Sequence, residues 1–308
     1  SETIYDFACD FETVDGLIDL PTLTATRGGI RFPISPLLSD VFNDADAGFT
    51  WTEADDIAAA TPGGPTKPCF RIPCPTFDEE RLQAQGICVT AGNLTDRAYP
   101  ELTARYIDLV LAAHAHRMNG LTIARLVANS TALPAATVPA SAAEAVLGTL
   151  ELRIAQTRDV FFMADDFPLE VIAPRWLKHP IRRDLARRSG VDFEQISDAD
   201  ITAHFTEIGA RVQWVSDYQR LPNNTDPTYP ANVSVLMYPA GAHTLMTGGS
   251  IDLGVVRDST LNETNDYTAA WSEEFWGVIT RCASYVITIP ICANGFSAEP
   301  VAVACPTA

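Results

Sequence analysis

The spacing of apolar and polar positions divides the chain into stretches of different period. Residues 1–48 show little helical periodicity, carry many Asp and Thr, and include the turn-forming TRGGIRFP, so they are expected to form an extended arm. Residues 49–90 predict a long two-stranded ribbon, with a short strand in FTWTEADDI, a tip in TPGGPTKP, and a return through CFRIPCPTFDEERLQAQGICVTAG. Pro68, Pro73 and Pro75 remove ladder donors, which places the return strand at an edge or exposed. Such a ribbon cannot bury itself and is expected to lie on a neighbouring copy of the chain.

The longest helical signal covers 96–129, with Thr95 or Asp96 as N-cap and Pro100 in the first turn. Leu102, Tyr106, Leu109, Ala113, Arg117 and Gly120 fall near one stripe, widened by Ile107, Val110, Leu111 and Leu121. A helix of that length spans ~45 Å and acts as a strut. After an Ala- and Pro-rich hinge, a second helix is predicted over 141–158, opened by Ser141 with Glu144 in a capping box. FPLEVIAP then reads as a buried strand. PRWLKHPIRRDLARRSG and DADITAHFTEIGA read as helices stopped by Gly190 and Gly209. ARVQWVSD, VSVLMYPAG, WGVITR and SYVITIPI are expected to complete a mixed sheet, giving an α+β chain with no internal repeat.

Composition narrows the functional classes. With 47% hydrophobic residues in 308, the chain can bury a substantial core, and no apolar run is long enough for a membrane helix, so no membrane partner is expected. The formal charge of -18 disfavours sequence-reading nucleic-acid binding, which depends on clustered cations. Seven cysteines, at positions 9, 69, 74, 88, 282, 292 and 305, are odd in number and scattered, which argues against a disulfide framework. Cys69 and Cys74 have no second Cys or His pair at zinc-finger spacing, so no metal and no cofactor is expected.

Catalytic constellations are missing from the sequence: there is no G-x-S-x-G, no H-E-x-x-H and no Cys/His pairing. His114 and His116 are two apart on a helix and diverge, and Asp165 and Asp166 sit in a turn. The Gly pairs lack the phosphate-loop pattern, and N-x-[ST] matches, such as those at Asn93 and Asn129, are chance hits in a bacterial setting. RRDLARR contributes the one basic cluster, Arg182, Arg183, Arg187 and Arg188, read either as a salt-bridged interface face or as an inner-wall contact to DNA.

The order of arm, ribbon, strut helix and α+β domain resembles the major capsid proteins of tailed double-stranded DNA bacteriophages, the Hong Kong 97 fold. The sequence resembles them most plainly in PCFRIPCPTFDEERLQAQGICVTAGNLTDRAYPELTARYIDLVLAAHAHRMN and RDSTLNETNDYTAAWSEEFWGVITR, which look like segments of actinobacteriophage capsid proteins; the likeness runs from about Thr26 to about Gly295. It implies a non-enzymatic shell protein forming hexamers and pentamers around double-stranded DNA. Residues 1–48 would be the N-terminal arm, 49–92 the extended loop, 93–134 and 250–284 the peripheral domain with spine helix 96–129, and 135–249 and 285–308 the axial domain and tail. Portal, scaffolding and decoration proteins are the implied partners, and DNA is contacted only non-specifically. Aromatic and Arg anchors dominate such interfaces, which singles out Arg27, Arg31, Trp51, Phe70, Arg71, Trp271 and Trp276, with Lys67 at the ribbon tip. In some members a loop lysine forms an isopeptide bond to an asparagine of another subunit. Here that would be Lys67 with Asn262 or Asn265, assisted by Glu273 or Glu274, and desolvation would have to depress the lysine's pKa. The alternatives are an encapsulin-type nanocompartment shell, which shares the fold, and, far behind, a secreted hydrolase.

Overall fold

The computed structural model describes residues 13–42, 44, 47–134, 141–222 and 228–291. The acidic start of the chain, Cys9, Cys292, Cys305, the centre of the Ala/Pro hinge and part of the LPNNTDPTYPAN loop lie outside the described residues. In chain order the first elements are β1 (Thr22–Thr24), β2 (Gly29–Pro33), α1 (Leu38–Phe42), α2 (Glu53–Ala59), β3 (Phe77–Arg81), β4 (Gln83–Gly92), α3 (Asn93–Ala98) and α4 (Pro100–Ala128). There follow β5 (Thr131–Pro134), α5 (Ala142–Phe161), β6 (Leu169–Pro174), α6 (Lys178–Ser189), α7 (Asp198–Glu207), β7 (Ala210–Val215) and β8 (Asn232–Pro239). The last are β9 (His243–Asp252), α8 (Ser259–Asn262), β10 (Asp266–Thr280) and β11 (Tyr285–Pro290).

The strands form a five-stranded sheet in the order β5-β11-β8-β6-β7, a four-stranded sheet in the order β1-β9-β10-β4, and a two-stranded ribbon of β2 and β3. Alternation along the central strands explains how the five-stranded sheet is covered on both faces. Val171 of β6 with Val235 and Met237 of β8 turn to one side, where they pack with Val146, Leu150, Ile181, Ile201 and Phe205 of the helices α5 to α7. Ile172, Leu236 and Tyr238 turn to the other side and meet Ile123 and Leu126 of α4 and Trp276 and Val278 of β10. The strut and the four-stranded sheet are therefore fastened to the larger sheet through one continuous apolar layer.

Several expectations of the sequence change here. WGVITR lies in the four-stranded sheet, because it is the second half of a fifteen-residue β10 that pairs with β4 and β9. FTWTEADDI is not a strand: Thr52 closes a capping box with Asp55, and Glu53, Asp55 and Asp56 sit at the positive end of the helix α2 that follows. The Thr52 amide donates to the Asp55 carboxylate at 2.8 Å and the hydroxyl at 2.6 Å, lowering the pKa of Asp55. The ribbon instead pairs residues 29–33 with 77–81, so part of the expected arm is one of its strands. The expected helix 96–129 is broken at Tyr99, since the residue before a proline is disfavoured in the helical region; Pro100 then opens α4 as its first residue. The buried stripe of α4 is Asn119, Thr122, Ile123 and Leu126, whereas Tyr106, Ala113 and Arg117 of the expected stripe are exposed. Ser141 does precede α5 but makes no capping bond; the amide of Ala143 donates instead to Asp184 of α6 at 3.0 Å.

A buried histidine marks the junction of the two sheets. His243 is fully buried, with Nδ1 3.0 Å from Thr280 Oγ1 and Nε2 2.8 Å from Ser284 Oγ. Ser284 also meets Ser130 at 2.7 Å, and Asn129 Nδ2 donates to Thr280 at 3.1 Å, so the network closes over the end of α4. Burial pushes the His243 imidazole down from 6.5 to about 4. Between those values the unfolded chain binds the proton and the folded chain does not. Stability is therefore held above pH 6.5 and lost as the pH falls through about 4. The loss assignable to this ring is roughly 3 kcal/mol. Urea midpoints of the wild type and His243→Gln at pH 7 and pH 4 check this: the wild type should lose more between the two pH values, and an equal loss would remove His243 as the cause.

Candidate functional site

Between β2 and β3 the chain runs out into a long loop that leaves several apolar side chains exposed, although Phe42 packs on Phe162 at the end of α5, ring centres 4.7 Å apart. The base of this loop is tied to the strut, where Arg125 Nη2 donates to Glu80 Oε1 at 2.6 Å. Beyond the ribbon come α1, α2 and a stretch from Thr61 to Thr76 without helix or strand, in which Pro62, Pro65, Pro68, Pro73 and Pro75 withhold backbone donors. Phe42, Phe49, Ile57 and Ile72 are exposed, Ile57 to 69% and Ile72 to 83% of their surfaces. A single chain gains nothing from apolar groups so placed, and their concentration on one loop marks a surface that something else covers.

Polar contacts hold the loop in shape. Lys67 Nζ lies 5.2 Å from the centre of the Trp51 ring and 5.9 Å from that of Phe49, so the ammonium faces two aromatic surfaces. Trp51 Nε1 donates to Asp56 at 3.4 Å. Arg31 on β2 stacks over Phe77 on β3 with 4.8 Å from guanidinium carbon to ring centre, and Arg27 is exposed in the turn before β2. Phe70 is partly covered and Arg71 is exposed. Trp271, on β10 opposite Cys88 of β4, is partly exposed. Trp276 is different. It is 8% exposed, donates from Nε1 to Thr122 at 3.2 Å, and belongs to the core between strut and sheet, so its packing lies mainly within one chain.

The residues considered for a cross-link lie on separate elements. Asn262 ends α8, and Asn265 adopts a left-handed backbone (φ 59°) in the turn before β10, where its carbonyl accepts from the amide and side chain of Asn93. Glu274 on β10 meets His114 of the strut at 3.2 Å, and Glu273 stands beside it on the same strand. The fold thus engages Lys67 with aromatic rings and Glu274 with a histidine.

In the basic cluster, Arg182 pairs with Asp198 at the start of α7, which also takes Lys178 at 2.9 Å. Arg188 pairs with Glu144, donates to Ser141 Oγ at 3.0 Å, and lies 3.5 Å from Asp184. Partial burial works against the charge on Arg188, but Glu144 and Asp184 outweigh it and its pKa rises. Two of the four arginines are therefore committed to fastening α5, α6 and α7 to one another. Arg183 and Arg187 are exposed on the same helix. Among the described residues no group of three or more His, Cys, Asp and Glu is set to hold a metal ion, and no helix is long and apolar enough to cross a membrane.

Sequence reasoning missed two features of this surface. Ile57 and Ile72 carry no local signal of exposure, since an isoleucine reads as core until the packing is known. β4 forms an edge of its sheet and is free of charge and proline from Gln83 to Gly92, which leaves it without the usual protection of an open edge.

This architecture is matched closely in length among solved structures. The capsid of Myoviridae phage XM1 superposes with a TM-score of 0.57 at 11% identity, covering 94% of this chain and 96% of that one. The capsid of cyanophage P-SCSP1u gives 0.53 at 13% identity, over 93% and 92% of the two chains. The mature capsid of bacteriophage PhiM1 gives 0.53 at 10% identity, over 94% and 90%. The chain has a phage-capsid fold. No protein-family model and no curated protein sequence matches it. The capsid fold thus stands on three-dimensional similarity, over 93–94% of this chain.

Proposed function

We propose that this chain is the shell subunit of a tailed-phage head, of the Hong Kong 97 type, which assembles into hexamers and pentamers around double-stranded DNA. The observation that carries this reading is the pairing of a capsid fold over nearly the whole chain with a long loop that leaves Phe49, Ile57 and Ile72 uncovered. Its role is structural and its principal partner is itself. In this reading the arm and loop reach over adjacent subunits, with Arg27, Arg31, Trp51, Lys67, Phe70, Arg71 and Trp271 as contact residues. The strut, residues 93–134 and 250–284 form the peripheral domain, and 135–249 with 285–308 the axial domain and tail. Scaffolding, portal and decoration proteins are further partners, and assembly takes place in the cytoplasm of the bacterial host.

The acidity of the chain favours a wall that holds DNA without binding it, since like charge repels the phosphates. The cluster Arg182, Arg183, Arg187 and Arg188 is the candidate for a weak inner-wall contact or for an interface face. Sedimentation velocity of the purified chain, alone and with its scaffolding and portal proteins, tests the assembly reading. Rings and larger closed species are expected; a chain that stays monomeric in both conditions overturns it. Denaturing electrophoresis of the resulting particles decides the Lys67 cross-link, for which a ladder of multiples is required.

A further inference from the structure

Residues 13–20 are bound to the strut and to the end of β7 by a series of hydrogen bonds that converge on His116. Its Nε2 lies 2.7 Å from the carbonyl oxygen of Thr13, and its Nδ1 lies 2.7 Å from Asp217 Oδ2. The same carboxylate oxygen accepts from Asn119 Nδ2 at 2.8 Å, and Asn119 Oδ1 in turn accepts from the amide of Ile18 at 2.8 Å. Ser216 donates its amide to the Gly16 carbonyl at 2.9 Å and its hydroxyl to the Asp15 carbonyl at 2.8 Å. Gln213 closes the row, accepting from the amide of Asp19 at 2.9 Å and donating to its carbonyl at 3.0 Å. Gly16 has φ +76°, and a Cβ there would fall 2.3 Å from Ser216 Oγ, so the close approach requires glycine.

Both partners of the His116 ring are acceptors only. A neutral imidazole has one N–H and can satisfy one of them; the imidazolium has two and satisfies both. We propose that His116 is a proton-operated clasp, which in its charged form fastens the N-terminal segment to the strut and on losing its proton releases Thr13 and loosens residues 13–16. The proton is the fastener. Of the charged groups around the ring, Asp217 favours the imidazolium and Arg220 opposes it; the strut itself adds the exposed Arg117, and the segment adds Asp15 and Asp19. The hydrogen bonds to Asp217 and to Thr13 raise the pKa above its ordinary 6.5. A raised value means that the clasp is complete below pH 6.5 and is lost as the pH rises through the folded-state pKa. If the chain is a shell subunit, as proposed above, release would make residues 13–16 available to a neighbouring subunit.

The test needs only the purified full-length chain and does not depend on its forming shells. Hydrogen exchange of the amides of Ser216, Ile18 and Asp19, which donate to Gly16, Asn119 and Gln213, is followed from pH 5.5 to pH 8.5, corrected for intrinsic rates, beside the imidazole titration of His116 by nuclear magnetic resonance. Protection should fall about tenfold along the same curve as the ring titrates. His116→Gln should abolish the pH dependence, and Asp217→Asn should move it to lower pH. Protection that is constant across the ring's titration, or that falls at a different pH, overturns the clasp on the wild-type chain alone. Loss of shell assembly with an intact clasp would instead count against the shell reading.

Discussion

Replacing Ile57 and Ile72 together with aspartate is expected to reduce the yield of assembled particles by more than tenfold while the melting temperature of the unassembled chain moves by no more than about 2 °C. The two side chains are among the most exposed apolar groups of the described residues, so the isolated chain has little packing to lose at either position. Covering each of them in an interface is worth about 2 kcal/mol, and burying a carboxylate there without a partner costs more than that gain. The penalty recurs in every subunit of a closed shell, which makes assembly far more sensitive than folding. Particle counts by light scattering, beside thermal denaturation of the soluble fraction, separate the two effects. Unchanged yield would mean that the loop does not take part in assembly, and a collapse in melting temperature would mean that the loop belongs to the core of its own chain.

Asp184→Ala should act in the opposite way, unfolding the chain before it affects any interface. Asp184 is 3% exposed although it carries a charge, and its carboxylate accepts the amide of Ala143 in the first turn of α5 while lying 3.5 Å from Arg188 Nε. Removing it leaves a helix-terminal N–H without an acceptor in a dry site and takes from Arg188 one of its two acids. The expected loss is about 3 kcal/mol, read as a lower urea midpoint with an unchanged slope. Asp184→Asn keeps an acceptor for Ala143 and should cost less. If alanine were as stable as the wild type, water would have to reach both groups, and the close packing of α5 on α6 would need revision.

Ile57, Ile72 and Asp184 also show what a sequence can and cannot disclose. The helices α5, α6 and α7 were legible because apolar periodicity, Gly190 and Gly209 all point the same way, and both glycines do adopt positive φ. The helix after Thr52 was misread because its few residues can be taken as alternating, and the decisive signal, a threonine three residues before an aspartate, is short. Strand membership failed where it depended on distant pairing: WGVITR looks like any buried strand, and only its partners β4 and β9 place it in the second sheet. Asp184 reads as a surface charge in RRDLARR, and its burial follows from where α5 begins, more than forty positions earlier along the chain. The candidate surface was legible as a loop rich in proline, but the exposure of Ile57 and Ile72 on it was not. Trp276 and Ile72 have similar sequence credentials, and packing sends the first to the core and leaves the second in solvent. His116, set aside as a metal ligand on spacing alone, bonds to the carbonyl of Thr13 in a segment about a hundred positions earlier, which no local pattern discloses.

We propose above that this fold is built to assemble. Negative-stain electron microscopy of the purified chain, with scaffolding and portal proteins added where the chain alone gives nothing, addresses that claim directly. Closed shells, or sheets of six-membered rings with five-membered rings at points of curvature, are the predicted result. Single particles of monomer size under both conditions would contradict it.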